Sequence, residues 1–288
     1  MFSINIIFLL LCIIFKEFNT ENNRLVASYF GIFDEAYDDT MTVNTTIPWN
    51  MFDRIYIPFV TIDKYGNLTN IHNTDHNKIK TVITMYRKVR PDGKIFVTTV
   101  YGEDMDKRYV YAANHQLKFP LSALKYFEKY NIDGVDLDWE TIGINSYSKE
   151  LVTLIKTCKT VFGNKYKITH TIWPYVHSPE TVGLLANIVD EVNIMSYSID
   201  IVNLEFLINQ YHKCGFPYHK MILGIESETE TETKNIIDGK INLINKYNLS
   251  GVFIWRLDND GRPQINNTAS GPSTFKTTKM LYNALYNK

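Results

Sequence analysis

The chain has 288 residues, 45% of them hydrophobic, and a formal net charge of −1, which suits one large domain with a sizeable core. Near-neutrality excludes the long-range field that draws a protein to nucleic acid or to an anionic membrane, so a neutral partner is expected. No stretch reads as low-complexity or disordered.

The first feature along the chain is the apolar run Ile6–Phe15 (IIFLLLCIIF), which stops at Lys16 and Glu17. It is too short to span a bilayer, which takes about 20 residues, but suits the core of a secretory signal peptide. Residues 1–20 are therefore assigned to a signal peptide and residues 24–288 to the mature domain, with no stable membrane insertion after cleavage. No positive charge precedes the run, so an uncleaved hydrophobic anchor is the alternative. Sequons at Asn44, Asn67, Asn248 and Asn266 fit a secreted protein or one held in the secretory lumen. Cys12 leaves with the signal. Cys158 and Cys214 lie on the apolar sides of helical stretches placed on non-adjacent helices, and two buried free thiols are expected. His72 and His76 have i, i+4 spacing but sit in a polar, Asn-rich stretch without a neighbouring Glu, which places them on the surface. Neither a metal nor another cofactor is expected.

Past the signal, strand-like and helix-like segments alternate. Candidate strands are 25–33, 54–62, 94–101, 132–140, 167–173, 191–197, 221–225 and 251–255, several rich in Val, Ile, Phe and Tyr as buried parallel strands are. Residues 34–53 lack a convincing helix, and an irregular loop is expected there. Pro120 opens a helix over 121–130. From Ser148 to Phe162, apolar residues recur at helical spacing up to a stop at Gly163. Ser178-Pro179-Glu180 reads as an N-cap, a first-turn proline and a first-turn acid, and Gly215 closes the stretch ending at Cys214. Residues 226–249 join the last two strands directly. Eight strands with helices between them predict a single (β/α)8 TIM barrel without an inserted α+β domain.

The segment that carries chemistry is Asp133-Gly134-Val135-Asp136-Leu137-Asp138-Trp139-Glu140. In a strand alternate side chains share a face, so Asp136, Asp138 and Glu140 line up on one side and Val135, Leu137 and Trp139 on the other. The apolar set suits the surrounding helices, which turns the acids toward the barrel axis with Glu140 at the carboxyl-end rim, where barrels of this kind do their chemistry. Carboxylates aligned inside a barrel are costly unless protons are shared or the charges are used, and they should titrate as a coupled set. Asp133, off that face, is expected to fix the start of the strand.

DGVDLDWE resembles the Asp-x-x-Asp-x-Asp-x-Glu signature of family 18 glycoside hydrolases, the chitinases and their relatives. The resemblance implies a retaining mechanism assisted by the substrate, an exception to the two-carboxylate scheme. Glu140 would protonate the glycosidic oxygen, Asp138 would hold the 2-acetamido group that attacks the anomeric carbon, and Asp136 would share a proton or hydrogen bond with Asp138. Trp255, in Gly251–Trp255, is similar to the family's sugar-floor tryptophan. Tyr197, after Met195-Ser196, is similar to the tyrosine that bonds the acetamido oxygen, and Tyr29-Phe30 and Phe59 fall where the family places aromatics. Without the resemblance, each of these aromatics reads equally as core packing. Trp173 is a further candidate for the rim. The chain departs from the family pattern at Ser198, where an Asp is usual, at Thr99-Val100-Tyr101-Gly102 and at Thr141. The implied activity is endo-acting hydrolysis of β-1,4-linked N-acetylglucosamine polymers, chitin or chitooligosaccharides, by a monomer. The alternatives are an endo-β-N-acetylglucosaminidase acting on N-glycans and a weakly active chitin-binding, lectin-like protein.

Overall fold

The computed structural model describes residues 24–286 apart from 44–45, 74, 100–101, 103, 229–231 and 266–267. The apolar run, Cys12, the sequons at Asn44 and Asn266, and Val100 and Tyr101 therefore lie outside the described residues.

In chain order the elements are β1 (Leu25–Tyr29), α1 (Glu35–Met41), β2 (Arg54–Ile62), β3 (Leu68–Asn70), α2 (Asp75–Val89), β4 (Lys94–Thr99), α3 (Met105–Asn114), α4 (Lys118–Tyr130) and β5 (Gly134–Leu137). There follow α5 (Ser148–Phe162), β6 (Lys167–Ile172), α6 (Pro179–Leu184), β7 (Glu191–Ile194), α7 (Ile201–Lys213), β8 (Met221–Glu226), α8 (Lys234–Tyr247) and β9 (Gly251–Trp255). A two-stranded hairpin, β10 (Gln264–Ile265) with β11 (Thr268–Ala269), and α9 (Lys276–Tyr286) complete the chain. Parallel pairings run β1–β2–β4–β5–β6–β7–β8–β9 and return to β1, closing an eight-stranded barrel, with β3 antiparallel on β2. Among the described residues, α8 alone intervenes between β8 and β9, and no second domain is inserted there. This is the expected (β/α)8 architecture. No helix among the described residues is long and apolar enough to cross a membrane.

Local signals explain the elements that match. α5 spans Ser148–Phe162 and stops at Gly163, whose φ of +59° is open to glycine at no steric cost. Ser178 caps α6 by accepting the Thr181 N–H. The first crossover departs from expectation. Residues 35–41 form a helix capped by Asp34, whose side chain accepts the Ala36 N–H, and Ala36, Tyr37 and Thr40 are buried. Seven acid-rich residues are too few to display helical periodicity; the helix is held from outside its own sequence, through Thr40 Oγ1 donating to Asp258 O at 2.7 Å. The strands are also shorter than their apolar runs. β1, β5 and β7 leave the ladder at Tyr29, Leu137 and Ile194, while Phe30, Trp139 and Ser196 beyond them remain buried. Hydrophobicity reports burial, which continues past the point where neighbouring backbones stop pairing.

The barrel has two apolar shells. Ala27, Tyr29, Tyr56, Phe96, Ile222 and Phe253 fill its interior, whereas Val26, Val135, Leu137 and Trp139 belong to the larger shell under the helices. The amino-end rim is fixed by one device used three times. Asp53, Asp133 and Asp190, each just before a strand, accept the N–H of the second residue of the preceding barrel strand: Val26 at 3.0 Å, Ile95 at 2.9 Å and Ile168 at 2.9 Å. Each also meets a cation, Arg90, Arg87 and Lys159 respectively, at 3.0, 2.6 and 3.0 Å. Asp133 thus does pin the start of its strand.

Both remaining cysteines are unpaired; Cys158 is buried on α5, but Cys214 caps α7 and is partly exposed, against the expectation of two buried thiols. His72 is exposed, and His76 is tied through Nδ1 to Tyr130 Oη at 2.6 Å. No cluster of three or more His, Cys, Asp or Glu fit to hold a metal ion is found among the described residues.

Candidate active site

The pleat of β5 and the stretch beyond it separate the acids from the apolar residues as alternation requires. Asp136 is fully buried in the barrel. Its Oδ2 accepts from Tyr29 Oη and Thr171 Oγ1, both at 2.9 Å, and its Oδ1 from Thr169 Oγ1 at 2.7 Å and Asn193 Nδ2 at 3.3 Å. Those donors come from β1, β6 and β7, so the barrel's closure assembles them. Burial pushes the Asp136 carboxyl up, against the pull of the bonds from Thr169, Tyr29 and Thr171.

Asp138 is 7% exposed, and its Oδ1 is buried with no partner among the described residues. Burial foremost, then the charge and hydrogen bond of Glu140 and the charge of Asp136, hold its carboxyl well above the usual carboxylate range. Thr99 steadies the backbone between these acids: its Oγ1 donates to Asp136 O at 3.3 Å and accepts the Asp138 N–H at 3.2 Å. The departure at Thr99 is therefore a support under the acids. Thr141 is another. It is buried, and its Oγ1 donates to Asp106 Oδ2 at 2.9 Å, while Trp139 Nε1 donates to Asp106 Oδ1 at 2.6 Å and the indole stacks on Tyr109 with ring centroids 4.6 Å apart. Glu140 is flanked on both sides by residues anchored to α3.

Above Asp136 opens a cavity of about 190 Å³ lined by Tyr29, Phe59, Asp138, Glu140, Thr171, Met195, Tyr197 and Trp255. Of the nine residues singled out in the sequence, six thus line one space and Asp136 lies beneath it bonded to Tyr29 and Thr171, whereas Phe30 packs in the outer shell against Tyr37 and Trp49. Trp255 lies 5.3 Å from the Tyr29 ring and 6.1 Å from Phe59, centroid to centroid, and the Pro58–Phe59 and Trp255–Arg256 peptide bonds are cis. Trp173 is not in that lining; it packs edge-on against Tyr175. Ser198 is exposed, with φ +55°.

Sequence reasoning missed the residues that serve Asp136 from other strands, Thr169, Thr171 and Asn193, because nothing local marks them. It also missed a buried histidine pair. His170 Nδ1 lies 2.7 Å from Leu137 O, His177 Nε2 lies 3.2 Å from His170 Nε2, and the Trp173 N–H reaches His177 Nδ1 at 3.1 Å. One tautomer set satisfies all three bonds, with the His170 proton on Nδ1 and the His177 proton on Nε2. Burial lowers both, His170 to about 3 and His177 to about 4, so the pair stays neutral and holds the carbonyl where β5 leaves the ladder.

Buried acids beside an aromatic wall lie at the carboxyl end of this (β/α)8 barrel, where such barrels carry their active sites. Residues 26–235 match the model for glycosyl hydrolases family 18, and the chain belongs to that family. An endochitinase from Brugia malayi is 23% identical over 273 residues, covering 81% of this chain and 50% of the relative; the chain spans about half the length of that curated relative. Among solved structures, a class V chitinase from Nicotiana tobaccum superposes with a TM-score of 0.75 at 14% identity, covering 92% of this chain and 99% of the other. A chitinase-like agglutinin from Robinia pseudoacacia gives 0.72 at 14% identity over 90% of this chain and 99% of its own. A chitinase from Rhizomucor miehei gives 0.69 at 15% identity over 92% and 99%.

Proposed function

We propose that the protein hydrolyses β-1,4-linked N-acetylglucosamine polymers, chitin and its oligosaccharides, as an endo-acting, retaining enzyme whose nucleophile is the substrate's own acetamido oxygen. The observation that carries this reading is Asp138: desolvated, inclined to keep its proton, yet with a buried Oδ1 that meets no donor among the described residues. A carboxyl in that state is a poor nucleophile but a good partner for an amide, because a buried oxygen without a donor gains a full hydrogen bond when an acetamido N–H arrives. Among the described residues the cavity lining holds one other carboxylate, Glu140, two residues along the same face. It does not offer the second, opposed carboxylate that a two-acid retaining mechanism uses.

In this mechanism Glu140 protonates the glycosidic oxygen as the acetamido carbonyl attacks the anomeric carbon, giving an oxazolinium-type intermediate. Asp138 holds the N–H, and Tyr197 bonds the attacking oxygen. Glu140 then takes a proton from the water that opens the intermediate. Asp136, held by its four donors, keeps Asp138 in place and shares its charge balance. Trp255, with Tyr29 and Phe59 beside it, offers an aromatic surface to the apolar face of the sugar. Among similar structures, a mutant of the Nicotiana enzyme holds tetrameric N-acetylglucosamine and a chitinase from Cycas revoluta holds the trimer and allosamidin, which supports the same class of ligand here.

Secretion after removal of residues 1–20, and action as a monomer, belong to the same proposal. Of the two described sequons, Asn248 is exposed at the end of α8, whereas Asn67 Nδ2 donates to Asp63 Oδ2 at 3.1 Å; Asn248 is the better glycan acceptor.

The test is to incubate the protein with a fluorogenic chitotrioside and, separately, with a high-mannose glycopeptide. Release from the chitotrioside is expected. Release only from the glycopeptide would select N-glycan trimming, and binding of chitooligosaccharide without any release would select a lectin, the role named for the Robinia agglutinin.

A further inference from the structure

Behind the turn that carries Tyr197 lies an ion pair that the acid cluster does not itself require. Lys240 Nζ, on α8, sits 2.7 Å from Glu232 Oε1, and the two side chains are 0% and 1% exposed. Stripping both charges of water offsets their attraction, so such a pair is a weak source of stability and makes better sense as a means of fixing one arrangement. What it grips here is backbone. Glu232 Oε1 accepts the Ser198 N–H at 3.1 Å, and Lys240 Nζ donates to Gly224 O at 2.8 Å. The same carbonyl accepts from Ser196 Oγ at 2.8 Å.

Both grips bear on Tyr197. Ser198 has the left-handed φ of +55° that a residue with a Cβ disfavours, and it is exposed, so core packing does not hold it there. Gly224 lies against the edges of two rings, since a Cβ on it would come within 2.7 Å of Phe253 Cζ and 2.8 Å of Tyr197 Cε1. One buried pair therefore holds both the residue that follows Tyr197 and the glycine against which the edge of its ring lies.

We infer that Glu232 and Lys240 are positioning residues that clamp the 196–198 turn to β8 and so keep Tyr197 in the cavity wall beside Asp138 and Glu140. The catalytic consequence rests on the glycosidase reading of that cavity; the clamp does not.

The clamp is tested first on the unaltered protein by amide hydrogen exchange. The Ser198 N–H should exchange at least about a hundredfold more slowly than a free loop amide, although its residue faces solvent; exchange at the free rate overturns the inference. The catalytic arm compares two double variants in which no charge is left unpaired. Glu232→Leu with Lys240→Met removes the acceptor, and kcat on the chitotrioside should fall about tenfold or more with Tm within a few degrees of the parent. Glu232→Gln with Lys240→Met keeps an acceptor for Ser198 but drops the hold on Gly224, and should recover kcat to within about threefold of the parent, the remaining deficit being the share of Lys240. Adding Tyr197→Phe to the Leu–Met variant should cost less than in the parent, since the ring is already displaced. Parental kcat in a folded Leu–Met variant overturns the positioning role. If that variant fails to fold, parental and slow Ser198 exchange in the Gln–Met variant supports the clamp and free exchange there overturns it. A parent inert on every sugar tested sinks the glycosidase reading alone and leaves the exchange measurement to decide the clamp.

Discussion

The two ends of this barrel treat the same side chain in opposite ways. At the amino end, Asp53, Asp133 and Asp190 each accept a strand N–H and face an arginine or lysine. For Asp190, burial pushes the carboxyl up, but the Ile168 N–H with Lys167 and Lys159 pulls it below its ordinary value. At the carboxyl end, Asp136 and Asp138 are more deeply buried than those three, meet hydroxyls, an amide and each other's charge, and both are pushed up. An acid paired with a cation at a partly exposed rim strengthens the fold, while acids buried among neutral donors and other acids are held toward their protonated form, which is the state the proposed chemistry needs. Around Asp136 and Asp138 the difference lies in deeper burial and in neutral donors where the amino-end acids have a cation.

That contrast can be broken by substitution. Glu140→Gln is expected to have the largest effect, lowering kcat/KM on the chitotrioside by about 10²–10⁴-fold with Tm almost unchanged, since a proton donor is lost without a packing change. A variant retaining parental turnover would remove Glu140 as the acid.

Asp138→Asn should cost about 10²-fold or more in kcat yet raise stability at neutral pH. The native Asp138 keeps its proton where the unfolded chain has lost it, so the native state binds more protons and stability declines as pH rises from about 4 toward the folded value. The variant escapes that decline. Its Tm advantage, about 2–4 °C per kcal/mol relieved, should open above pH 4 and vanish below it; full activity in this variant would sink the substrate-assisted mechanism.

Asp190→Ala should do the reverse, costing about 1–3 kcal/mol in denaturant unfolding and leaving kcat at the parental value. A depressed native carboxyl contributes stability that is present above the unfolded value and lost as pH falls through the native one. The deficit should therefore shrink on acidification; a constant deficit would mean that Asp190 acts through packing alone. The smallest effect is expected from Tyr29→Phe, which deletes one of the donors to Asp136. About 1 kcal/mol of stability and a few-fold in kcat should go with it, and no change in either would show that the remaining donors satisfy Asp136 unaided.

Much of the site was legible because its core is one short stretch. The period-two spacing of Asp136, Asp138 and Glu140 says which side chains share a face, and a neighbouring apolar set, Val135, Leu137 and Trp139, says which face looks inward. Tyr197, Trp255, Tyr29 and Phe59 were reachable through family resemblance rather than through any local rule. Helix caps at Ser178 and Gly163 were legible for the same reason as the acids, since capping depends on residues a few positions apart. The helix after Asp34 was not, because what stabilises it lies more than two hundred residues away at Asp258.

By itself, then, the amino-acid sequence determined which residues alternate, which runs are buried and which acids lie on one face, all properties of a backbone's own period. Only the closed barrel decided that Thr169, Thr171 and Asn193 would meet Asp136, that Asp138 would be left with an oxygen unpaired among the described residues, and that Glu232 and Lys240 would reach the turn after Tyr197. Those outcomes depend on which strands become neighbours and how far water is excluded between them, quantities that exist only once distant parts of the chain have packed together.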